Sequence, residues 1–269
     1  MGKSESIIAS YRSEVEAHLT SHMETLHGPI YDPARYLLEV GGKRIRPCLL
    51  LAAVEAFGGS RATAMNEAIA IEIFHNFTLL HDDVMDDADT RRGRPVVHIK
   101  WNESQAILTG DIMFAISYDL LMDKKNEAIS MDILRLFNRT ASEVCIGQQM
   151  DMDFEQRDDV RVNEYLEMIR LKTSVLLGAS MGMGAMLAGA DSKNVHAIYD
   201  YALNVGMAFQ MQDDYLDAFG DMDKVGKRVG GDIIRNKKTI LLLNALNMAQ
   251  SDDKKRLPNV EKRNTWIRL

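Results

Sequence analysis

Apolar residues recur along this chain at intervals of three and four, the period of an amphipathic helix. Ile7, Ile8, Tyr11, Val15 and Leu19 set the pattern, with Glu14, Glu16 and His18 between them, and Gly28-Pro29 ends the segment. The same periodicity predicts further helices over about 33–40, 47–57, 62–87, 104–123, 127–155, 161–189, 192–219 and 236–250. Breaks fall at Gly41-Gly42, Gly58-Gly59 and Gly230-Gly231, and Asp191-Ser192 reads as a helix start. Period-two alternation is scarce. There is no Gly-x-Gly-x-x-Gly and no P-loop, which argues against a nucleotide-binding α/β fold. The pattern predicts an all-α fold, a single large helical bundle over residues 1–269 with a central cavity.

Thr173 to Ala190 is the longest uncharged run and reaches the length of a membrane span. It is rich in Gly, Ala, Ser and Met and follows Lys172 directly, so a buried helix is the better reading. Gly178 and Gly182 would admit a close neighbour there.

Composition narrows the function classes. The chain has 269 residues, 46% hydrophobic and 26% charged, with a net charge of −7 and no basic stripe, which disfavours nucleic acid as a partner. No Pro/Ser/Gly-rich linker divides it. Its two cysteines, Cys48 and Cys145, are too few for a disulfide framework and read as inert buried thiols of a reducing, cytoplasmic compartment. The N-terminus has no signal-peptide core.

Two acid clusters carry the chemistry: His81-Asp82-Asp83-Val84-Met85-Asp86-Asp87, and Gln210-Met211-Gln212-Asp213-Asp214-Tyr215-Leu216-Asp217. Each contains Asp-Asp-x-x-Asp within helix-patterned sequence. On a helix Asp82 and Asp86 are i and i+4, as are Asp213 and Asp217, so each pair shares a face and repels. All-oxygen sites of this kind suit Mg²⁺, which borrows phosphate oxygens from a substrate. The bundle is expected to carry the two clusters toward each other. Counter-charges accompany them: Lys43, Arg44 and Arg46 after a glycine pair, Arg91, Arg92 and Arg94 beyond the first cluster, and Lys227, Lys237 and Lys238 beyond the second. Carboxylates and arginines in an apolar bundle describe a site for a Mg²⁺-diphosphate on an apolar tail. Glu24-x-x-His27 and Glu72-x-x-His75 also fit a ferritin-like di-iron pair. Gly28-Pro29 closes the first helix immediately, however, and the basic clusters would have no role.

With these residues in hand, the chain resembles the polyprenyl synthetase family of trans-isoprenyl diphosphate synthases, over roughly Tyr36 to Ala245. The resemblance rests on an ordered series. It begins with Gly41-Gly42-Lys43-Arg44-Ile45-Arg46-Pro47 and the stretch from Glu72 and His75 through the first acid cluster to Arg91-Arg92-Gly93. Gly147-Gln148-Gln149-Met150-Asp151, Lys172-Thr173 and Gly206 to Asp217 follow. Gly226-Lys227, Gly231-Asp232 and Lys237-Lys238-Thr239 close it. It implies a Mg²⁺-dependent prenyltransferase that condenses isopentenyl diphosphate head-to-tail with an allylic diphosphate. By resemblance, Asp82, Asp83 and Asp86 bind Mg²⁺ on the allylic diphosphate, and Asp213, with Asp214 and Asp217, binds a further ion, about three in all. Arg91, Lys172, Lys227 and Lys237 contact the allylic diphosphate. Lys43, Arg46, His75 and Arg92 hold isopentenyl diphosphate, and Thr173 and Gln210 lie beside the forming cation. The family also implies a homodimer.

Phe77 lies five residues before Asp82, about 7.5 Å along the helix axis. In the family an aromatic there, followed by Thr78, resembles the geranylgeranyl (C20) type; farnesyl or longer products are the alternatives. Phe114 and Tyr118 are candidates for the same wall. Relatives continue through further C-terminal helices, so the resemblance also leaves room for a catalytically silent subunit of a heteromeric synthase.

Overall fold

A computed structural model describes residues 3–122, 127–220, 230–234 and 237–249. Nearly all of them are helical, as the periodicity predicts. The helices are α1 (Lys3–Thr25), α2 (Asp32–Glu39), α3 (Ile45–Ala56), α4 (Met65–Met85), α5 (Val97–Lys100), α6 (Glu103–Leu121), α7 (Glu127–Glu155), α8 (Val162–Ile169), α9 (Val175–Leu187), α10 (Ser192–Phe219), α11 (Gly231–Ile234) and α12 (Ile240–Met248). Local sequence explains several boundaries. Pro33 sits in the first turn of α2 and Pro47 in that of α3, where a missing N–H costs nothing. The Asn102 carboxamide oxygen accepts from the Gln105 N–H and caps α6.

The chain forms two compact units, Met1–Asn138 with Leu177–Asp200, and Arg139–Leu176 with Tyr201–Leu269. In the first, α4 is the central element and packs most extensively against α6 and then α3. Ile69, Ile71, Ile73, Phe74 and Leu80 of α4 are fully buried. Gly178 lets Tyr199 pack where a Cβ would come within 2.9 Å of its ring, and Gly182 borders the same ring. At Gly184 a Cβ would collide with the Leu50 carbonyl of α3, so this glycine sets the close approach of α9. Among the described residues no helix is long and apolar enough to cross a membrane. In the second unit Phe154, Val160, Tyr165, Met168, Ile169 and Leu243 form a core.

Three features depart from the expectations drawn from the sequence. The predicted helix over 161–189 is interrupted by a π-helical turn, Arg170–Ser174, between α8 and α9. A two-stranded hairpin pairs Thr90-Arg91 with Arg94-Pro95, too short to leave any alternation. Its turn residues Arg92 and Gly93 both have positive φ, 52° and 76°. Cys48 is buried as expected, and burial pushes its thiol up to about 11, but Cys145 is exposed.

Candidate active site

The first unit brings together most of the sequence-predicted residues it contains. Asp82 and Asp83 lie in the last turn of α4, and Asp86 is its C-cap. Asp87 then takes φ 47°, with its N–H on the Val84 carbonyl and the Ala88 N–H on the Asp83 carbonyl. That is a Schellman closure with aspartate where glycine is usual. Carboxylates at a helix C-terminus oppose the helix dipole, so the cluster raises local negative potential. Asp82 and Asp86 are half-buried on one face. Asp83 points the other way, is 3% exposed and receives the Arg91 fork, Nε at 2.9 Å and Nη2 at 2.8 Å. That pairing and the neighbouring aspartates raise the Arg91 pKa against burial.

The basic loop before α3 docks on the same helix. Arg44 adopts φ 51° and is 5% exposed. It donates to Glu72 Oε1 at 2.7 Å and to the Leu38 carbonyl at 2.7 Å, and Asn76 donates to the same Glu72 oxygen. A left-handed non-glycine residue costs about 1 kcal/mol or more, and this buried network holds it. Arg46 lies 3.0 Å from His75 Nε2. Burial and the flanking Arg46, Arg92, Arg91 and Arg44 hold the His75 pKa well below its usual value, so the imidazole is neutral and accepts from Arg46. Burial lowers Arg46 itself to about 10, which leaves it charged at neutral pH. Lys43 and Arg92 are exposed. The Arg92 guanidinium rests where a Cβ on Gly42 would meet it at 2.9 Å, so the glycine lets the two loops touch. Glu72 is thus committed to Arg44, and Glu24 and His27 are exposed; these residues do not form a di-iron pair.

Below the acid cluster, Phe77 stacks on Phe114 with centroids 5.2 Å apart and planes 21° apart. Phe74 and Tyr118 flank Phe114, and the Tyr118 hydroxyl donates to Asn138. Phe77 also meets His81 edge-on at 4.8 Å, and His81 occupies the space left by Gly110.

The second unit assembles the rest. Asp213, Asp214 and Asp217 lie in the last two turns of α10, again at a negative helix end. Asp213 and Asp217 are half-buried; Asp214 is 5% exposed. Tyr165 donates to Asp214 Oδ2 at 2.5 Å, and Gln210 Nε2 donates to Oδ1 at 3.1 Å. Burial raises the Asp214 pKa against these donors. Asp217 Oδ2 accepts from the Asp232 N–H at 3.0 Å. Burial and Asp217 push the Asp232 carboxyl up to about 6, with Lys237 opposing.

The π-helical turn carries Lys172 and Thr173. Such turns widen the helix and re-aim side chains. A Cβ on Gly147 would collide with the Lys172 backbone, so α7 lies directly against the turn. Lys172 donates to Asp151 at 2.6 Å, Lys237 lies 3.9 Å from the same oxygen, and Thr173 donates to Gln210 Oε1 at 3.2 Å. Lys227 lies outside the described residues. Sequence reasoning gave no role to Asp151 or Asp232, although both stand inside the motif stretches, and considered Glu72 only as a di-iron ligand. Tyr165 had no signal at all.

In both units the arrangement is one of half-exposed carboxylates beside cations, next to apolar or oxygen-lined surfaces. This is the chemistry of a diphosphate-handling transferase. The polyprenyl synthetase family model matches residues 27–266. A geranylgeranyl diphosphate synthase of Methanosarcina mazei is 43% identical over 220 residues, covering 80% of this chain and 67% of the relative. A geranylfarnesyl diphosphate synthase of Natronomonas pharaonis is 39% identical over 90% of this chain and 76% of its own length. A crystal structure of a geranylgeranyl pyrophosphate synthase superposes with TM-score 0.90 at 50% identity, covering 95% of this chain and 78% of that one. The chain belongs to the polyprenyl synthetase family and is a trans-prenyltransferase.

Proposed function

We propose that this protein condenses isopentenyl diphosphate with an allylic diphosphate to give geranylgeranyl diphosphate. The observation that carries the reading is the paired motif. In each unit the first and last aspartates of Asp-Asp-x-x-Asp are half-buried near a helix C-terminus, with basic side chains in the same unit.

Asp82, Asp86, Asp213 and Asp217 would hold Mg²⁺, with Asp83 and Asp214 completing the two motifs. Their all-oxygen donor set suits that ion. Among the described residues no three or more carboxylate, histidine or cysteine groups could hold a metal ion by themselves, so substrate phosphates would have to supply further ligands. Bound Mg²⁺ supplies charge neutralisation for the departing diphosphate. Arg91, Lys172, Lys237 and Lys227 bind the allylic diphosphate and stabilise the charge that builds on it. Lys43, Arg46, neutral His75 and Arg92 hold isopentenyl diphosphate.

The allylic C–O bond breaks and its electron pair leaves with the diphosphate. The double bond of isopentenyl diphosphate then supplies the electrons of the new C–C bond. Loss of a proton to the departed diphosphate restores a double bond. The Thr173 and Gln210 oxygens face the allylic cation during this step. Phe77, backed by Phe114, blocks the growing chain near C20. A homodimer and a cytoplasmic location complete the reading.

The test is a product assay. Purified protein is incubated with Mg²⁺, labelled isopentenyl diphosphate, and dimethylallyl, geranyl or farnesyl diphosphate in turn, and the dephosphorylated products are separated by chain length. A C20 alcohol that disappears with EDTA supports the proposal. A C15 alcohol, or one longer than C20, overturns the chain-length assignment. No product from any primer overturns the activity and favours a silent subunit.

A further inference from the structure

We propose that Asp214 is a positioning residue: with Tyr165 it locks the Gln210 amide so that its carbonyl oxygen, and not its NH₂ group, faces Thr173 and the allylic cation. The inference rests on the reading of Thr173 and Gln210 as the oxygen pair beside that cation.

A primary amide carries an acceptor at one end and two hydrogens at the other, and rotation by half a turn exchanges them. Here one end is fixed. Gln210 and Asp214 are i and i+4 on α10, and Gln210 Nε2 donates to Asp214 Oδ1 at 3.1 Å. The other carboxylate oxygen takes the Tyr165 hydroxyl at 2.5 Å and faces the Ile240 N–H at 3.4 Å. With donors on both oxygens, the carboxylate acts as an acceptor toward Gln210, and only the amide nitrogen can face it. Asp214 and Tyr165 are 5% and 2% exposed, so water does not compete for these bonds.

The consequence propagates one bond further. Gln210 Oε1 points at Thr173 and accepts its hydroxyl proton at 3.2 Å. Once that proton is committed, the Thr173 oxygen presents lone pairs outward, as does the amide oxygen. The reversed amide would turn N–H toward Thr173 and set positive dipole ends against developing positive charge. Dipoles fixed before the reaction stabilise such charge without reorganisation. Thr173 itself lies in the π-helical turn Arg170–Ser174.

A double-mutant cycle on the full chain tests this, with Mg²⁺, isopentenyl diphosphate and farnesyl diphosphate. Asp214→Asn and Tyr165→Phe are each expected to lower kcat about tenfold while KM for both substrates and the Mg²⁺ half-saturation stay within about twofold. In a Gln210→Ala background, Asp214→Asn is expected to add less than about twofold, because its effect runs through the amide. Two results would overturn the proposal. A raised Mg²⁺ half-saturation for Asp214→Asn would make Asp214 a metal ligand. Losses that multiply in the Gln210→Ala background would show that Asp214 acts independently of the amide. Tyr165→Phe removes only a hydroxyl, so the same cycle run with it decides the matter if Asp214→Asn unfolds. Wild-type protein that turns over no substrate overturns the functional reading and this inference with it, whereas active wild type with additive losses overturns this inference alone.

Discussion

The two Asp-Asp-x-x-Asp motifs share a layout and differ in how the layout is held. In both, the first and last aspartates are half-buried and the second is buried. Helix geometry explains the likeness, because i and i+4 share a face and i+1 lies about 100° around. The buried aspartate is clamped ionically in the first unit, by the Arg91 fork, and by neutral donors in the second, by Tyr165 and Gln210. An ionic clamp also adds a cation beside the carboxylates. A neutral clamp leaves the local charge alone and fixes the direction of a neighbouring amide. The same motif is thus built for charge in one unit and for dipole orientation in the other.

The most severe way to break this comparison is to remove the half-buried first aspartate of a motif. Asp82→Ala and Asp213→Ala are each expected to lower kcat by about 100-fold or more with helical circular dichroism unchanged. Near-normal turnover in either would remove that motif from the metal site.

The clamps themselves come next. Arg91→Ala leaves a buried carboxylate without its fork, and the expected loss is about 1–3 kcal/mol, discounted because Arg91 is partly exposed. Tyr165→Phe removes one neutral donor, for about 1 kcal/mol. Urea unfolding orders the two; equal losses would mean that the clamps do not differ in kind.

Phe77→Ala opens one layer of the aromatic stack, and the expected outcome is a longer product at undiminished turnover. A product of unchanged length would make Phe114, not Phe77, the effective floor.

The smallest effect is a pH dependence. His75 has a folded pKa well below its unfolded value near 6.5, so the unfolded chain binds a proton that the native chain does not. Stability should therefore fall as pH drops below about 6.5, and the fall should be shallower in His75→Gln. Melting temperatures between pH 7 and pH 5 measure this, and identical slopes would contradict a neutral native His75.

Much of this molecule was legible in its sequence. Helical periodicity placed α1 to α4, α6, α7 and α10 within a few residues, because the apolar face of each helix is written at a period of 3.6, whereas it read α8 and α9 as one helix and missed the single turn α5. Asp-Asp-x-x-Asp, read on a helix, already implied that each outer pair shares a face. The π-helical turn at Arg170–Ser174 was hidden, since one extra residue in a helical turn leaves the apolar pattern almost unchanged. So was the Arg92-Gly93 turn, whose strands are too short to alternate.

The sequence by itself determined most of the long helices, the residue types of the site and the family. Only the tertiary structure decided which carboxylates are clamped and by what. Tyr165 lies 49 positions from Asp214, Glu72 lies 28 from Arg44 and Lys172 lies 21 from Asp151. A hydrogen bond between distant side chains depends on where packing puts both backbones, and no local period encodes that.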